Sequence, residues 1–224
     1  MSTQSTTSAQ NTPAVLQGLT STDASVRLKA ALAVGTAPEP RYVGPLIERC
    51  AVEPEFFVRD MLTWALTRHP PGITVPGLVE ELGSARPQAR SQALHTLSKV
   101  GDARAWPAIT RAHLTDPCDE VARSAWRAAV ILVPEADRPA LAGVLVSQLG
   151  RGGRDTRLSL SRALVALGEA AAPALRTARS HGDPGVRQHA MATEQLLRDP
   201  DADFGYALEE AKRIVALGPG RQEE

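Results

Sequence analysis

The stretch "DPGVRQHAMA", residues 183–192, contains the phrase that decides the fold: an acid, two variable residues, Val-Arg and the start of a helix. The same phrase opens "DASVRLKAAL" at Asp23 and "EFFVRDMLTW" at Glu55. Its arginine recurs in register along the chain, with one alanine in its place, at Arg27, Arg59, Arg90, Ala122, Arg157 and Arg187. The intervals of 32, 31, 32, 35 and 30 residues indicate an internal repeat.

A proline ahead of an apolar pair provides a second marker, which recurs at a nearly constant distance from the arginine. It stands 14 residues before the arginine in four of the six units, and the six prolines are Pro13, Pro45, Pro76, Pro107, Pro139 and Pro173. A proline costs little at the first helical position, because that N–H has no intrahelical partner. We therefore expect each proline to begin a helix A, and the acids Asp23, Glu55 and Asp183 to cap a helix B.

Each helix B shows apolar residues at the spacing of one helical face. In the first and fourth units these are Val26, Ala30, Ala33 and Val34, and Val121, Ala125, Ala128 and Ala129. A hairpin with such a face must stack on its neighbour to bury it. The sequence thus predicts an all-α fold, a right-handed α-solenoid of six hairpins closed by a C-terminal helix within residues 203–218. We expect one repeat domain over 13–217, between disordered segments at 1–12 and 218–224.

The composition bounds the class of protein. The chain has 224 residues, 43% of them hydrophobic, with 25 basic and 25 acidic side chains. The balanced charge does not indicate a general affinity for polyanions. The two cysteines lack metal-ligand spacing, and neither a secretory signal nor an apolar run long enough to span a bilayer is found. A reduced, cytoplasmic protein is the expectation.

The order of proline-started helix, turn, acid-x-x-Val-Arg and alanine-rich helix resembles the HEAT repeat. The short period resembles the bacterial HEAT-like type that is also found in bilin lyases. This resemblance implies that the B helices line a concave surface. It also implies that the repeated acids and arginines form a ladder between adjacent units, through Asp23, Arg27, Glu55, Arg59, Asp183 and Arg187.

Candidate binding residues follow from the register. With the repeat arginine as position zero, positions +1 and +5 share one helical face. In the central units they hold Asp60, Trp64, His95, Arg123, Arg127 and Arg162. Tryptophan and arginine are enriched at binding hot spots. Alternatively, Trp64 and His95 pack between B helices while the arginines are solvated.

A glycine-rich basic loop, "GRGGRDTR" at residues 150–157, lengthens the fifth unit. Its Arg151 and Arg154 could hold a phosphate or an acidic partner segment, as arginines commonly do. The loop matches no phosphate-binding fingerprint, and a solvated insertion is the other interpretation.

The sequence shows no catalytic constellation, and we expect no cofactor and no metal. The leading hypothesis is a non-enzymatic adaptor that binds a partner protein or acidic peptide on the concave face of the solenoid. The alternative is a DNA-binding protein that resembles the bacterial HEAT-like alkylpurine DNA glycosylases, since Asp60 and Trp64 lie one turn apart with arginines on the next two B helices. A bilin-lyase-like enzyme is a third hypothesis, supported by the repeat type alone. No membrane partner is expected, and the oligomeric state stays open.

Overall fold

The structure is a computed structural model that describes residues 14–199 and 204–217, with the backbone alone at Tyr206 and Leu217. Within these ranges the chain forms α-helices and short 3-10 helices, and no strand. The range over which the sequence predicts one domain divides into two compact units, with the division between Ala108 and Ile109. Pro13 and the segments 1–12 and 218–224 lie outside the described residues.

The first unit is built from three helical hairpins in its described part. The helices pair in chain order, and consecutive B helices contact one another. They are α1 (14–19) with α2 (Ala24–Thr36), α3 (Val43–Cys50) with α4 (Phe56–Thr67), and α5 (Pro71–Glu81) with α6 (Pro87–Val100), followed by a 3-10 helix over Ala103–Ala108. Fully buried leucines from four of these helices form the core, including Leu46, Leu62, Leu66, Leu78, Leu94 and Leu97.

The second unit repeats the same pairing and adds a closing helix. Its pairs are α7 (Arg111–Leu114) with α8 (Asp119–Leu132), α9 (Arg138–Val146) with α10 (Arg154–Ala166), and α11 (Ala172–Ala178) with α12 (Pro184–Arg198). The final helix α13 (Phe204–Leu217) packs on α12 through a buried cluster of Ala192, Leu196, Phe204, Ala207, Leu208 and Ala211. The predicted closing helix is thus confirmed.

All six B helices begin where the repeated phrase predicts, and the cap differs with the acid. The Asp23 carboxylate accepts the N–H of Ser25 at 2.7 Å, and the Asp183 carboxylate accepts that of Gly185 at 2.6 Å. Glu55 occupies the same N-cap position without capping, so the prediction is wrong there. Glutamate is one methylene longer than the side chains that favour this position.

The A helices begin at their prolines less often than predicted. Pro139 and Pro173 stand in the first two positions of α9 and α11, as expected. Pro45 is the third residue of α3, Pro76 lies inside α5, and Pro107 lies in the 3-10 helix before α7. The first turn tolerates proline beyond its first residue, because its N–H groups all lack intrahelical partners. In α5 a second proline, Pro71, takes the starting position.

The buried faces of helices B agree with the predicted pattern in the fourth unit and depart from it in the first. Val121, Ala125, Ala128 and Ala129 are all fully buried. In α2, Val26 and Ala33 are exposed, and Arg27 is buried beside Ala30, Ala31 and Val34. The repeat position itself is buried in both helices, as Arg27 and as Ala122, and the difference lies at Val26 and Ala33. No helix in the described ranges combines the length and apolar character needed to cross a membrane.

Candidate binding site

The repeated arginine closes the turn that precedes its own helix B. In the first repeat, Arg27 Nη1 donates to the carbonyl oxygens of Ser21 and Thr22 at 3.0 and 2.9 Å. The same two contacts, to the carbonyls six and five residues earlier, recur at Arg59 and Arg187 with distances of 2.6–2.9 Å. The phrase therefore repeats because each hairpin needs its turn carbonyls satisfied.

This arrangement corrects the ladder that the HEAT resemblance implies. Asp23 and Asp183 cap their own helices, Glu55 makes no cap, and Arg59 and Arg187 bind their own turns. The acid and the arginine of one phrase are four residues apart at one helix start, and at Asp183 and Arg187 both side chains serve that start.

Arg27 does bridge two repeats, through an acid that the sequence analysis did not single out. Its Nε and Nη2 donate to the two carboxylate oxygens of Glu53, each at 2.7 Å. Glu53 also accepts from Arg49 Nε at 2.8 Å and from the N–H of Glu55 at 2.9 Å. The side chains of Arg27 and Glu53 are 6% and 0% exposed, so this junction is a buried ion pair.

The charge on Glu53 is held by these donors. Burial alone would raise the pKa of the Glu53 carboxyl, but hydrogen bonds from Arg27, the Glu55 N–H and Arg49 outweigh it and lower the pKa to about 2. The junction therefore stays ionised throughout the ordinary pH range.

The corresponding junction in the second unit takes its arginine from the following repeat. The fourth repeat has Ala122 where the others have arginine, which leaves the turn carbonyl of Asp116 without its usual donor. Arg151 Nη2 donates to that carbonyl at 2.5 Å, and Arg151 Nε pairs with Asp119 Oδ1 at 2.8 Å. Arg151 thus completes a turn two helices before it in the chain.

The loop that carries Arg151 is fixed at several points. Gly152 has φ +67°, and a Cβ there would lie 2.7 Å from the Asp119 carboxylate, so glycine permits the close approach. The N–H of Gly150 donates to His189 Nδ1 at 3.0 Å. The predicted basic loop is corrected accordingly: Arg151 binds within the protein, while Arg154 is exposed as the first residue of α10.

Three of the candidate binding residues lie in the first unit. Asp60 is exposed and His95 is half-buried. Trp64 is 38% exposed, and its ring lies over Gly35 of α2, where an added Cβ would be 2.1 Å from Cζ3. The indole therefore packs on the neighbouring B helix with one part and remains accessible with another, which combines the two interpretations that the sequence left open.

The other three candidates line a single cavity in the second unit. Arg123 and Arg127 come from consecutive turns of α8, and Arg162 comes from α10. The cavity has a volume of about 380 Å³, and its remaining lining consists of Val130, Asp155, Leu158, Ser159 and Ala163. We refer to it below as the arginine cavity.

The arginine cavity brings three guanidinium groups close together. Among the described residues, no carboxylate lies within salt-bridge distance of Arg123 or Arg162. Partial burial lowers the pKa of Arg127 below its usual value, and the positive charge of Arg123 lowers it further. The site therefore concentrates positive charge that an anion would stabilise.

A buried hydroxyl–imidazole cluster escaped the sequence analysis. Ser161 Oγ lies 3.0 Å from His189 Nε2 and 2.7 Å from Thr193 Oγ1, and all three residues are 0% exposed. His189 Nδ1 accepts the Gly150 N–H, so Nε2 carries the proton and donates to the carbonyl of Arg157 at 3.0 Å. Burial lowers the pKa of His189 to about 4. A substrate has no access to this pair, which holds the loop in place.

Cys50, Cys118 and His113 form no catalytic arrangement among the described residues. Both cysteines are free, and burial raises the pKa of the Cys50 thiol to about 12, which keeps it protonated and unreactive. His113, close to Cys118 in sequence, is engaged at the start of α7, where its Nδ1 accepts the N–H of Thr110 at 3.1 Å. Within the described ranges, no group of three or more histidine, cysteine or acidic residues could hold a metal ion.

Comparison with known proteins identifies the fold. No protein-family model and no curated protein matches the chain by sequence. Among solved structures, Kap121p bound to Pho4p matches with a TM-score of 0.58 at 18% identity, over 93% of this chain and 26% of the other. Unbound Kap121p matches with the same TM-score and identity, over 91% and 26%. Human deoxyhypusine hydroxylase matches with a TM-score of 0.49 at 17% identity, over 95% and 96%.

The chain spans about a quarter of the length of the Kap121p chains it matches. These likenesses fit the repeat register, the hairpin pairing within each unit and the absence of strands from the described residues. The chain thus has the helical-repeat fold of the HEAT-repeat proteins.

Proposed function

We propose that the chain is a non-enzymatic protein-binding module that takes an acidic segment of a partner protein into its arginine cavity. One observation carries the proposal: Arg123, Arg127 and Arg162 converge on one cavity, and two of them have no carboxylate partner among the described residues. Arg27 and Arg151, which serve the fold, each pair with a carboxylate. Three arginines that converge on one cavity, two of them without a carboxylate partner among the described residues, favour a role in recognition.

The chemistry of the cavity suits an acidic side chain. A carboxylate can accept two parallel N–H bonds from one guanidinium, and charge-assisted bonds of this kind are about twice as strong as neutral ones. Val130, Leu158 and Ala163 add apolar lining that would pack on the aliphatic part of a bound side chain. Repeat proteins commonly use a face of this kind for partner binding. A protein of the same fold, Kap121p, has been solved bound to Pho4p.

The proposal includes the compartment and the absence of catalysis. Both cysteines are free, which suits the cytoplasm, where thiols stay reduced. The serine–histidine pair of Ser161 with His189 is closed to solvent. The lining of the arginine cavity contains no histidine, cysteine or lysine, and a binding role accounts for its three arginines.

The test is a peptide-display selection against the wild-type protein, followed by affinity measurements on the enriched peptides. We expect sequences rich in Asp and Glu. Their affinity should fall at least tenfold, about 1.4 kcal/mol, in the double variant Arg123→Gln/Arg162→Gln. The matched control is Arg111→Gln/Arg176→Gln, which removes two charges from exposed positions outside the cavity and should bind as the wild type does.

Two results would contradict the proposal. Enrichment of peptides without acidic residues would remove the chemistry on which it depends. Equal affinity of the cavity variant and the control variant would show that the partner binds elsewhere.

A further inference from the structure

We propose that the anion recognised by the arginine cavity is a phosphate monoester on a partner side chain, that is, a phosphorylated serine or threonine. The inference rests on the proposed function. It specifies the acidic group of the partner as a phosphate monoester, which is a dianion, and not a carboxylate. Four properties of the cavity support it: its charge, its donors, its size and its confinement to one place.

The formal charge matches a dianion better than a single carboxylate. Three arginines and one aspartate line the cavity, which gives a formal charge of +2. A phosphorylated side chain carries about −1.5 to −2 at neutral pH, whereas Asp and Glu carry −1. A lone carboxylate would leave part of the positive charge of the cavity uncompensated, whereas a dianion would neutralise it.

The donors also outnumber what a carboxylate can use. Each guanidinium carries five N–H groups, and the Ser159 hydroxyl adds another donor on the same wall. Arg123 and Arg162 make no side-chain hydrogen bond to the described residues, so their N–H groups remain available to a ligand. The three terminal oxygens of a phosphate monoester accept from several directions, which suits arginines that approach from α8 and from α10.

The size of the cavity allows more than an isolated phosphate ion. A volume of about 380 Å³ accommodates the phosphate together with the side chain and backbone that carry it. The apolar lining from Val130, Leu158 and Ala163 can pack on the methylene or methyl groups next to the ester oxygen. We therefore expect the phosphorylated peptide to bind more tightly than inorganic phosphate.

Duplex nucleic acid fits the same charges less well. Proteins that bind the DNA backbone spread their cations over roughly 6–10 phosphates along the groove. Here three arginines converge on one cavity, and the chain has no formal net charge. The geometry suits one dianion held at one point.

The test uses three fluorescein-labelled degenerate peptide pools that are identical except for a central phosphoserine, glutamate or serine. Fluorescence anisotropy with the full chain at pH 7.5 should give at least tenfold tighter binding of the phosphoserine pool than of the glutamate pool. Inorganic phosphate should compete only at much higher concentration. Arg162→Gln should lose at least tenfold for the phosphoserine pool, Arg162→Lys should lose part of that affinity, and Arg176→Gln should lose none.

A second readout separates a dianion from a carboxylate. The second pKa of a phosphate monoester is about 6, so affinity for the phosphoserine pool should fall several-fold between pH 7.5 and pH 5.5. A glutamate side chain stays ionised over that range, and affinity for its pool should stay level.

The outcomes distinguish this inference from the proposed function. Equal affinity and equal pH profiles for the phosphoserine and glutamate pools overturn the inference while the acidic-partner function stands. Binding of neither pool overturns both. Tight binding of a labelled 20-base-pair duplex that is lost in Arg162→Gln, without binding of the phosphoserine pool, assigns the cavity to nucleic acid and overturns both as well.

Discussion

An arginine joins two neighbouring repeats both at the junction of the first and second repeats and at the junction of the fourth and fifth. The earlier repeat supplies this arginine at one junction, and the later repeat supplies it at the other. In the first, the repeat arginine Arg27 points forward to Glu53 of the next repeat. In the second, the repeat arginine is missing at Ala122, and Arg151 of the next repeat points back to Asp119 and Asp116. The shared requirement is a guanidinium that ties turn carbonyls to a carboxylate; the repeat that supplies it is free to change.

The two junctions differ in burial, and burial determines how much stability is lost when one partner of the ion pair is removed. The side chains of Arg27 and Glu53 are 6% and 0% exposed, whereas those of Arg151 and Asp119 are 18% and 42% exposed. Removal of one partner from a buried pair leaves an uncompensated charge out of water, while a partly exposed charge can be hydrated instead. The comparison therefore predicts unequal responses to similar substitutions.

The largest effect is expected from Glu53→Gln. The substitution leaves Arg27 buried without its counter-charge and removes the ionic partner of Arg49. We expect the free energy of unfolding of the first unit to fall by about 3–5 kcal/mol. The measurement is urea denaturation combined with amide hydrogen exchange in α2 and α4.

The control for this variant is Glu48→Gln, which removes the same charge from an exposed position of α3. It should change the stability by less than about 0.5 kcal/mol. Similar losses of stability from the two substitutions would show that the burial of the Glu53 junction does not determine its contribution to the free energy of unfolding.

A mildly acidic pH should affect the second junction and spare the first. His189, whose Nδ1 holds the Gly150 N–H, has a pKa lowered from 6.5 to about 4, so the unfolded chain binds more protons between these values. The stability that His189 contributes is complete above pH 6.5 and is lost as the pH falls towards 4. The loss is on the order of 3 kcal/mol, at about 1.4 kcal/mol for each pKa unit. Glu53, with a pKa of about 2, stays ionised over the same range.

The measurement is an NMR titration of the imidazole resonances, with hydrogen exchange in α10 and α12 at pH 7 and pH 4.5. The exposed His181 serves as the internal reference. Titration of His189 near pH 6.5 would contradict the prediction, as would an equal loss of protection in α2 and α4.

A smaller effect is expected from Arg151→Ala. The variant loses the pair with Asp119 and the hydrogen bonds to Asp116 and Gln148. Hydrogen bonds of charged groups contribute roughly 1.5–3 kcal/mol, so we expect a loss of about 2 kcal/mol in the second unit by urea denaturation. Arg154→Ala removes the same side chain three residues later from an exposed position and should cost less than about 0.5 kcal/mol.

The smallest expected effect, the coupling between positions 122 and 151, tests most directly whether Arg151 does the work of a repeat arginine. If Arg151 replaces the arginine missing from position 122, then Ala122→Arg should be tolerated better in the Arg151→Ala background than in the wild type. A double-mutant cycle should show a favourable coupling of about 1 kcal/mol. Additive losses would mean that the two positions do not serve the same turn.

Much of the fold could be predicted because its signals are local. In the first and sixth phrases the acid caps the helix start that its own phrase opens, and that start falls where the sequence places it. Proline is a weaker marker, since the whole first turn lacks N–H partners, and Pro45 accordingly sits in the third position of α3. The contact of Arg27 with Glu53 could not be predicted, because the two residues are 26 positions apart in the sequence.

The candidate site divides in the same way. Arg123 and Arg127 fall together because residues four apart share a helical face, and the repeat interval brings Arg162 to the next helix. Contacts that depend on packing were invisible, such as the indole of Trp64 over Gly35 and the imidazole of His189 beside Ser161. Arg151 was misassigned because a basic glycine loop looks the same in sequence whether its charge faces solvent or a neighbouring turn.

The backward reach of Arg151 has a consequence for the inheritance of these repeats. The first, second and sixth hairpins carry the arginine that binds the carbonyls of their own turn, so duplication or exchange of such a hairpin would move that donor with it. The fourth hairpin does not, because its missing cation is encoded some thirty residues downstream, at Arg151 against Ala122. Recombination between these two hairpins would separate the turn before α8 from Arg151, which completes it, so the two hairpins must be transferred together.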